Sequence, residues 1–172
     1  MVMTSLGEWV YGKDHETLEG KVGELFLERN KTLAVAESCT GGLIGHRLTQ
    51  TPGSSDYFLE GVIAYSNEAK NSRLEVSPTL IQKYGAVSAE VALAMAEGIR
   101  KTAGADIGLS VTGVAGPDAS NNKPVGTVFI AISDKEKSDC KYFRFYSDRS
   151  RNKERSAQAG LDLLRRWFRN LT

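Results

Sequence analysis

The chain has 172 residues, 41% hydrophobic and 25% charged, which suits one globular domain with a real core and leaves little room for two. Its formal net charge is +1, so no bulk field draws it to nucleic acid, and an anionic ligand must be held by local groups. No run of 18 apolar residues is present and the first residues have neither the basic nor the apolar part of a signal peptide, which predicts a cytoplasmic protein with no membrane partner.

Residues 1–16 read as a lead-in, and 17–172 as the domain. From Glu16 the pattern turns helical, with Leu18, Val22, Leu25 and Leu27 on roughly one face. Residues 32–36 form a short apolar run of the kind buried on both faces of a parallel sheet. Ser38-Cys-Thr-Gly-Gly42 breaks that run, and a helix is predicted over 43–50. Residues 61–65 read as a second strand, after which Asn67 is expected to cap a helix from Glu68. A short helix over 78–84 has Pro78 in its first turn. Ser88 is expected to cap the clearest helix, where Val91, Ala92, Met95, Ala96 and Ile99 make an apolar stripe up to about residue 103.

A third strand over 106–112 runs into the Gly-rich loop 113–117. Residues 126–133 and 141–146 read as an antiparallel pair. The last helix, 151–170, carries Ala159, Leu161, Leu164, Trp167 and Phe168 opposite a basic face that reads as solvated. Strands alternating with helices predict a three-layer α/β/α sandwich, a mostly parallel sheet with an antiparallel edge pair. Cys39 and Cys140 give no disulfide framework and no zinc spacing, and read as two small buried hydrophobes.

Ligands of open α/β sheets bind beyond the carboxyl ends of the strands, where residues 37–42, 65–70 and 112–117 fall. Ser38 sits at a strand-to-helix turn, followed by Gly41 and Gly42. Together with Thr40 these could supply backbone N–H groups to an oxyanion or a phosphate, or Ser38 could simply cap the helix. The turn is neither the G-x-S-x-G elbow nor a P-loop. A serine nucleophile needs a base, and only two histidines exist. His15 lies in the lead-in, and His46 is eight residues past Ser38, about 12 Å of helical rise. Lysine is left, and Lys70, near the start of the helix after Tyr65, is the best placed of many basic side chains. The loop from Thr112 through Gly113 and Gly116 could receive a phosphate, ribose or oxyanion, or could be a tight turn. Arg149 could hold a phosphate bidentately but is one of several arginines over 149–155. No metal-ligand spacing appears, and no metal or other cofactor is expected.

Residues 34–42, 61–70, 85–88, 110–118 and 123–127, taken together, closely resemble the C-terminal domain of the competence/damage-inducible protein CinA, the nicotinamide-nucleotide amidase family. The likeness covers about residues 17–170. It implies hydrolysis of nicotinamide mononucleotide to nicotinate mononucleotide and ammonia by a Ser-Lys arrangement, which maps onto Ser38 and Lys70 with Tyr65 and Thr112 in support. Two departures stand out. Asp118-Ala-Ser-Asn-Asn122 replaces the usual paired glycines, and Ser147-Asp148 lacks a glycine frequent before the arginine. Residues 6–18 resemble the stretch joining this domain to an N-terminal CinA domain, a partner the resemblance implies in a longer protein. Trp9 and Tyr11 there are expected to be exposed and to pack on a neighbour, which points to a homo-oligomer. The competing readings are a non-catalytic nucleotide-binding regulatory domain, an amidase or esterase with another substrate, and a DNA-associated competence factor; the near-neutral charge speaks against the last.

Overall fold

A computed structural model describes residues 10–120 and 122–168. Its strands are β1 (Leu33–Glu37), β2 (Phe58–Ile63), β3 (Ile107–Gly113), β4 (Thr127–Ser133) and β5 (Ser138–Arg144). They form one sheet in the order β2-β1-β3-β4-β5. β1 is parallel to both neighbours, whereas β4 runs antiparallel to β3 and to β5. Four of these strands therefore point one way and β4 runs against them: a parallel centre with an antiparallel edge pair. The helices are α1 (Leu18–Glu28), α2 (Leu43–Thr49), α3 (Asn67–Leu74), α4 (Pro78–Tyr84), α5 (Ala89–Thr102) and α6 (Arg149–Trp167), in an α/β/α arrangement.

Strand parity decides which layer each residue joins. Leu33 and Val35 of β1 and Ile107, Leu109 and Val111 of β3 face a core closed by α1, α2 and α6. Ala34 and Ala36 face the opposite way, toward Leu74 of α3 and Val91, Met95 and Ile99 of α5. Burial on both faces is why β1 reads as an unbroken apolar run, and the α5 stripe is buried throughout.

Several boundaries differ from those read in the sequence. β2 begins at Phe58, because an edge strand exposed along most of its length needs no apolar pattern. Ser66 rather than Asn67 caps α3, its Oγ accepting from the Ala69 N–H at 3.0 Å. β5 starts at Ser138, pairing with Ser133 across a tight connection. α6 starts at Arg149, capped by Asp148, whose carboxylate accepts from the Arg151 N–H at 2.9 Å. In α1 the buried position is Phe26, stacked on Tyr57, and Leu27 is exposed. Arg165 departs from the expected basic face: it is fully buried and pairs with Asp162 at 2.7 Å. Cys39 is buried but Cys140 only half so, and both are free thiols. Trp9 lies outside the described residues, while Tyr11 is partly exposed. Among the described residues no helix is long and apolar enough to cross a membrane.

Candidate active site

The carboxyl ends of β1, β2 and β3 meet at a cavity of about 410 Å³. Of the residues singled out from the sequence, Ser38, Tyr65, Lys70, Thr112, Gly113, Gly116 and Arg149 all line it. Thr40, Gly41 and Gly42 do not: they line a separate cavity of about 340 Å³ with His46 and Lys153 on the far side of the turn.

Ser38 is held where β1 ends. Its N–H donates to the Val111 carbonyl at 2.9 Å, extending the pairing with β3 by one residue, and its own carbonyl accepts from the Gly41 N–H. Its hydroxyl faces Lys70, whose Nζ lies 3.1 Å from Ser38 Oγ. Lys70 reaches that point because the chain folds tightly from β2 into α3: Ser66 caps the helix and Lys70 is its fourth residue. Lys70 is only 2% exposed. It donates to the Ala64 carbonyl at 2.9 Å and the Tyr65 carbonyl at 3.4 Å. Burial holds its pKa below the usual lysine value of 10.5; the nearby Cys39 thiol acts weakly the other way. A neutral lysine amine has two N–H donors and one lone pair. With two carbonyls as acceptors, the lone pair is left for the Ser38 hydroxyl proton.

The opposite wall is backbone. Val111 turns its carbonyl to Ser38, whereas the Val114 N–H bonds Thr127 in the β4 direction at 2.8 Å. Alternation along the strand therefore turns the Gly113 N–H away from β4 and toward the Ser38 turn. Only glycine fits there, since a Cβ would stand 2.7 Å from the Thr127 carbonyl oxygen and 3.1 Å from Cys39 Sγ. Thr112 acts across the cavity, its hydroxyl donating to the Ala86 carbonyl at 2.8 Å and fixing the segment between α4 and α5. At the mouth, Arg149 donates from Nη2 to the Tyr65 hydroxyl at 2.9 Å and from Nη1 to the Gly116 carbonyl. It ties the β2 side to the loop after β3.

Three contributors were not read from the sequence. Asn152, one turn after Arg149 and completely buried, donates to the carbonyls of Ala115 (3.1 Å) and Ser147 (2.8 Å), anchoring the Gly-rich loop to α6. Its i+3 spacing from Arg149 was the available signal. Asp118 lines the cavity as well. Glu37 turns its carboxyl group into the N-terminus of α2, accepting from the N–H groups of Gly42, Ile44 and Gly45 at 3.0, 3.1 and 2.8 Å. Of the donors expected to serve an oxyanion or phosphate, the Gly42 N–H is thus taken by Glu37, and the Gly41 N–H by the Ser38 carbonyl. Among the described residues no three His, Cys, Asp or Glu side chains form a group that could hold a metal ion.

The family model of the CinA C-terminal domain matches residues 15–168. The chain belongs to this family. A CinA-like protein of Desulfotalea psychrophila is 52% identical over 168 residues, covering 97% of this chain and 41% of that protein. A CinA-like protein of Geobacter sulfurreducens is 47% identical over 167 residues, covering 96% and 40%. The chain thus spans about two fifths of the length of these curated CinA relatives. Solved CinA structures share the fold. The competence/damage inducible protein CihA of Agrobacterium tumefaciens has a TM-score of 0.84 at 33% identity, over 90% of this chain and 96% of that one. A CinA superfamily protein of Klebsiella pneumoniae has a TM-score of 0.87 at 28% identity, over 89% and 96%.

Proposed function

We propose that this CinA-family domain hydrolyses the carboxamide of nicotinamide mononucleotide, giving nicotinate mononucleotide and ammonia. The observation that carries the reading is the contact of 3.1 Å between Ser38 Oγ and a buried Lys70 Nζ whose other partners are two backbone carbonyls. The amide itself is taken from the family resemblance, and the cavity volume and Arg149 at its mouth are compatible with a mononucleotide. Neutral Lys70 takes the Ser38 proton as Oγ bonds to the carboxamide carbon, and the carbonyl oxygen becomes an oxyanion facing the Gly113 N–H. The C–N bond then breaks, Lys70 returns the proton to the leaving nitrogen, and ammonia departs. Water, deprotonated by Lys70, attacks the acyl-Ser38 ester; Oγ leaves and is reprotonated, releasing nicotinate mononucleotide. Tyr65 and Arg149 shape the mouth, and Arg149 offers its guanidinium to the phosphate.

The test is ammonia release from nicotinamide mononucleotide. Wild type should turn over, and Ser38→Ala should lose at least about a thousand-fold in kcat. Arg149→Ala should keep Ser38 reactive while raising KM by about ten-fold or more, the loss of a charge-assisted bidentate contact. Nucleotide binding without ammonia in the wild type would instead favour a regulatory nucleotide-binding domain.

The reading includes a second copy of the chain as partner. Its support is the contrast between the two sheet edges: β5 carries the ion pair Lys141–Asp139, whereas β2 exposes Leu59 and Ile63 with Glu60 as its single charge. Sedimentation equilibrium should give a dimer, and Ile63→Lys should shift it toward monomer.

A further inference from the structure

We propose that Glu37 is the positioning residue for the nucleophile, holding Ser38 in reach of Lys70 through the backbone rather than by touching the reacting atoms. The inference rests on the Ser38–Lys70 reading above. Glu37 ends β1, a strand otherwise made of Leu33, Ala34, Val35 and Ala36, and it is only 2% exposed. No lysine or arginine is bonded to its carboxyl group among the described residues. Its partners are instead three backbone N–H groups of its own downstream turn: one oxygen takes Gly42 and Ile44, the other takes Gly45. The side chain thereby closes a ring with residues 38–42 inside it, and Ser38 is the first residue of that ring.

Two anchors then fix Ser38. On one side its N–H is bonded to Val111 of β3. On the other, the Glu37 carboxyl group clamps the far end of the turn, where Gly42 adopts a φ of 95°. The clamp matters because α2 has only seven residues and is too short to define its own start. Without it the turn keeps the Ser38 N–H bond to Val111 and the Gly41 N–H bond to the Ser38 carbonyl, and neither reaches Gly42 or the start of α2. A nucleophile displaced by about 1 Å loses on the order of a hundred-fold in rate. The walls that bind substrate belong to other elements: Gly113 and Gly116 after β3, Tyr65 after β2 and Arg149 of α6. Loss of the clamp should therefore lower kcat and leave KM nearly unchanged.

Glu37→Gln keeps the shape and one acceptor oxygen but turns an NH₂ toward an N–H donor, and Glu37→Ala removes both acceptors. The experiment measures, per folded protein, the rate at which a fluorophosphonate labels Ser38 across pH, with the labelled residue identified by mass spectrometry. Turnover of nicotinamide mononucleotide is measured alongside. Expected are losses of about ten-fold in labelling rate and kcat for Glu37→Gln and about a hundred-fold for Glu37→Ala, with KM within three-fold of wild type. The pH midpoint of labelling, which Lys70 sets, should stay where it is in wild type. Thermal melts confirm folding, and if Glu37→Ala does not fold, Glu37→Gln decides alone.

Wild-type labelling rates in Glu37→Gln would overturn the inference, and so would a raised KM with unchanged kcat. A shifted pH midpoint would also overturn it, by showing that Glu37 tunes Lys70 instead of placing Ser38. If wild-type Ser38 is not labelled at all, the nucleophile reading falls and this one with it. If Ser38 is labelled and the clamp variants slow it while no ammonia is released, only the substrate assignment fails.

Discussion

Lys70→Met should abolish ammonia release, with a loss of about a thousand-fold or more in kcat, and at neutral pH should make the protein more stable than wild type. Both effects come from one property: Lys70 is buried against Ser38 with no carboxylate bonded to it among the described residues, and burial lowers its pKa. The activity follows the neutral form, so kcat/KM of wild type should rise with pH through the lowered lysine pKa and then level off. The stability runs by linkage. Between that lowered pKa and the ordinary lysine value of 10.5 the unfolded chain binds a proton at Lys70 that the folded protein does not. Wild-type stability therefore rises with pH across this window. Below the window Lys70 is protonated in both states and the cost of burying it is full; above 10.5 the term vanishes. The advantage of Lys70→Met, measured by urea unfolding at a series of pH values, should be largest at the low end and shrink toward pH 10.5. A variant less stable than wild type at pH 7, or one that keeps turnover, would contradict the assignment of Lys70 as a strained base. Lys70→Arg should not restore activity, because a guanidinium does not give up its proton.

Gly98→Ala should cost about 3 kcal/mol of stability and cut activity by on the order of a hundred-fold. Helix propensity predicts the reverse sign, since alanine inside a helix is favoured over glycine by about 1 kcal/mol. Packing wins here. A Cβ on Gly98 would stand 2.0 Å from the Leu74 carbonyl oxygen and 2.9 Å from its carbon, and backbone cannot swing aside as a flexible side chain could. Leu74 is the last residue of α3, the helix that carries Lys70. Separating the two helices to an ordinary contact means moving α3 by about 1 Å, which takes Nζ from its place beside Ser38. Urea unfolding gives the stability and the ammonia assay the rate. A variant as stable as wild type would mean that α3 and α5 tolerate the separation.

The parallel centre was legible because β1 is apolar on both faces, a pattern set by burial under two helical layers, and because Ile107, Leu109 and Val111 give β3 one fully apolar face. The amphipathic stripe of α5 was legible for a similar reason. β2 was misplaced by three residues because an exposed edge strand carries no such pattern. α6 was begun too late because its first turn, Arg149-Ser-Arg-Asn, has no apolar residue and is fixed by the Asp148 cap instead. Phe26 was missed in favour of Leu27 because the partner ring, Tyr57, comes from a turn 31 positions away in the sequence.

At the candidate site the division runs along chemistry and distance. Composition and spacing alone supplied the chemical inventory: a serine at a strand end, no histidine placed to serve it, a lysine that was the best placed of many basic side chains, a glycine loop and an arginine. Those are local facts of composition and spacing, and strand ends converge in any open parallel sheet. Which of these meet depends on how the elements pack. Lys70 lies 32 positions from Ser38 and reaches it at 3.1 Å because β2 pairs parallel to β1 and α3 turns back over the junction. Arg149 lies 84 positions from Tyr65, and their contact requires the first turn of α6 to arrive over the same sheet end. The same holds for what the turn after Ser38 does. Its glycines and helix start look like an anion site in the sequence, but a backbone donor serves whichever acceptor the fold brings to it, and here Glu37 takes Gly42, Ile44 and Gly45 while the Ser38 carbonyl takes Gly41.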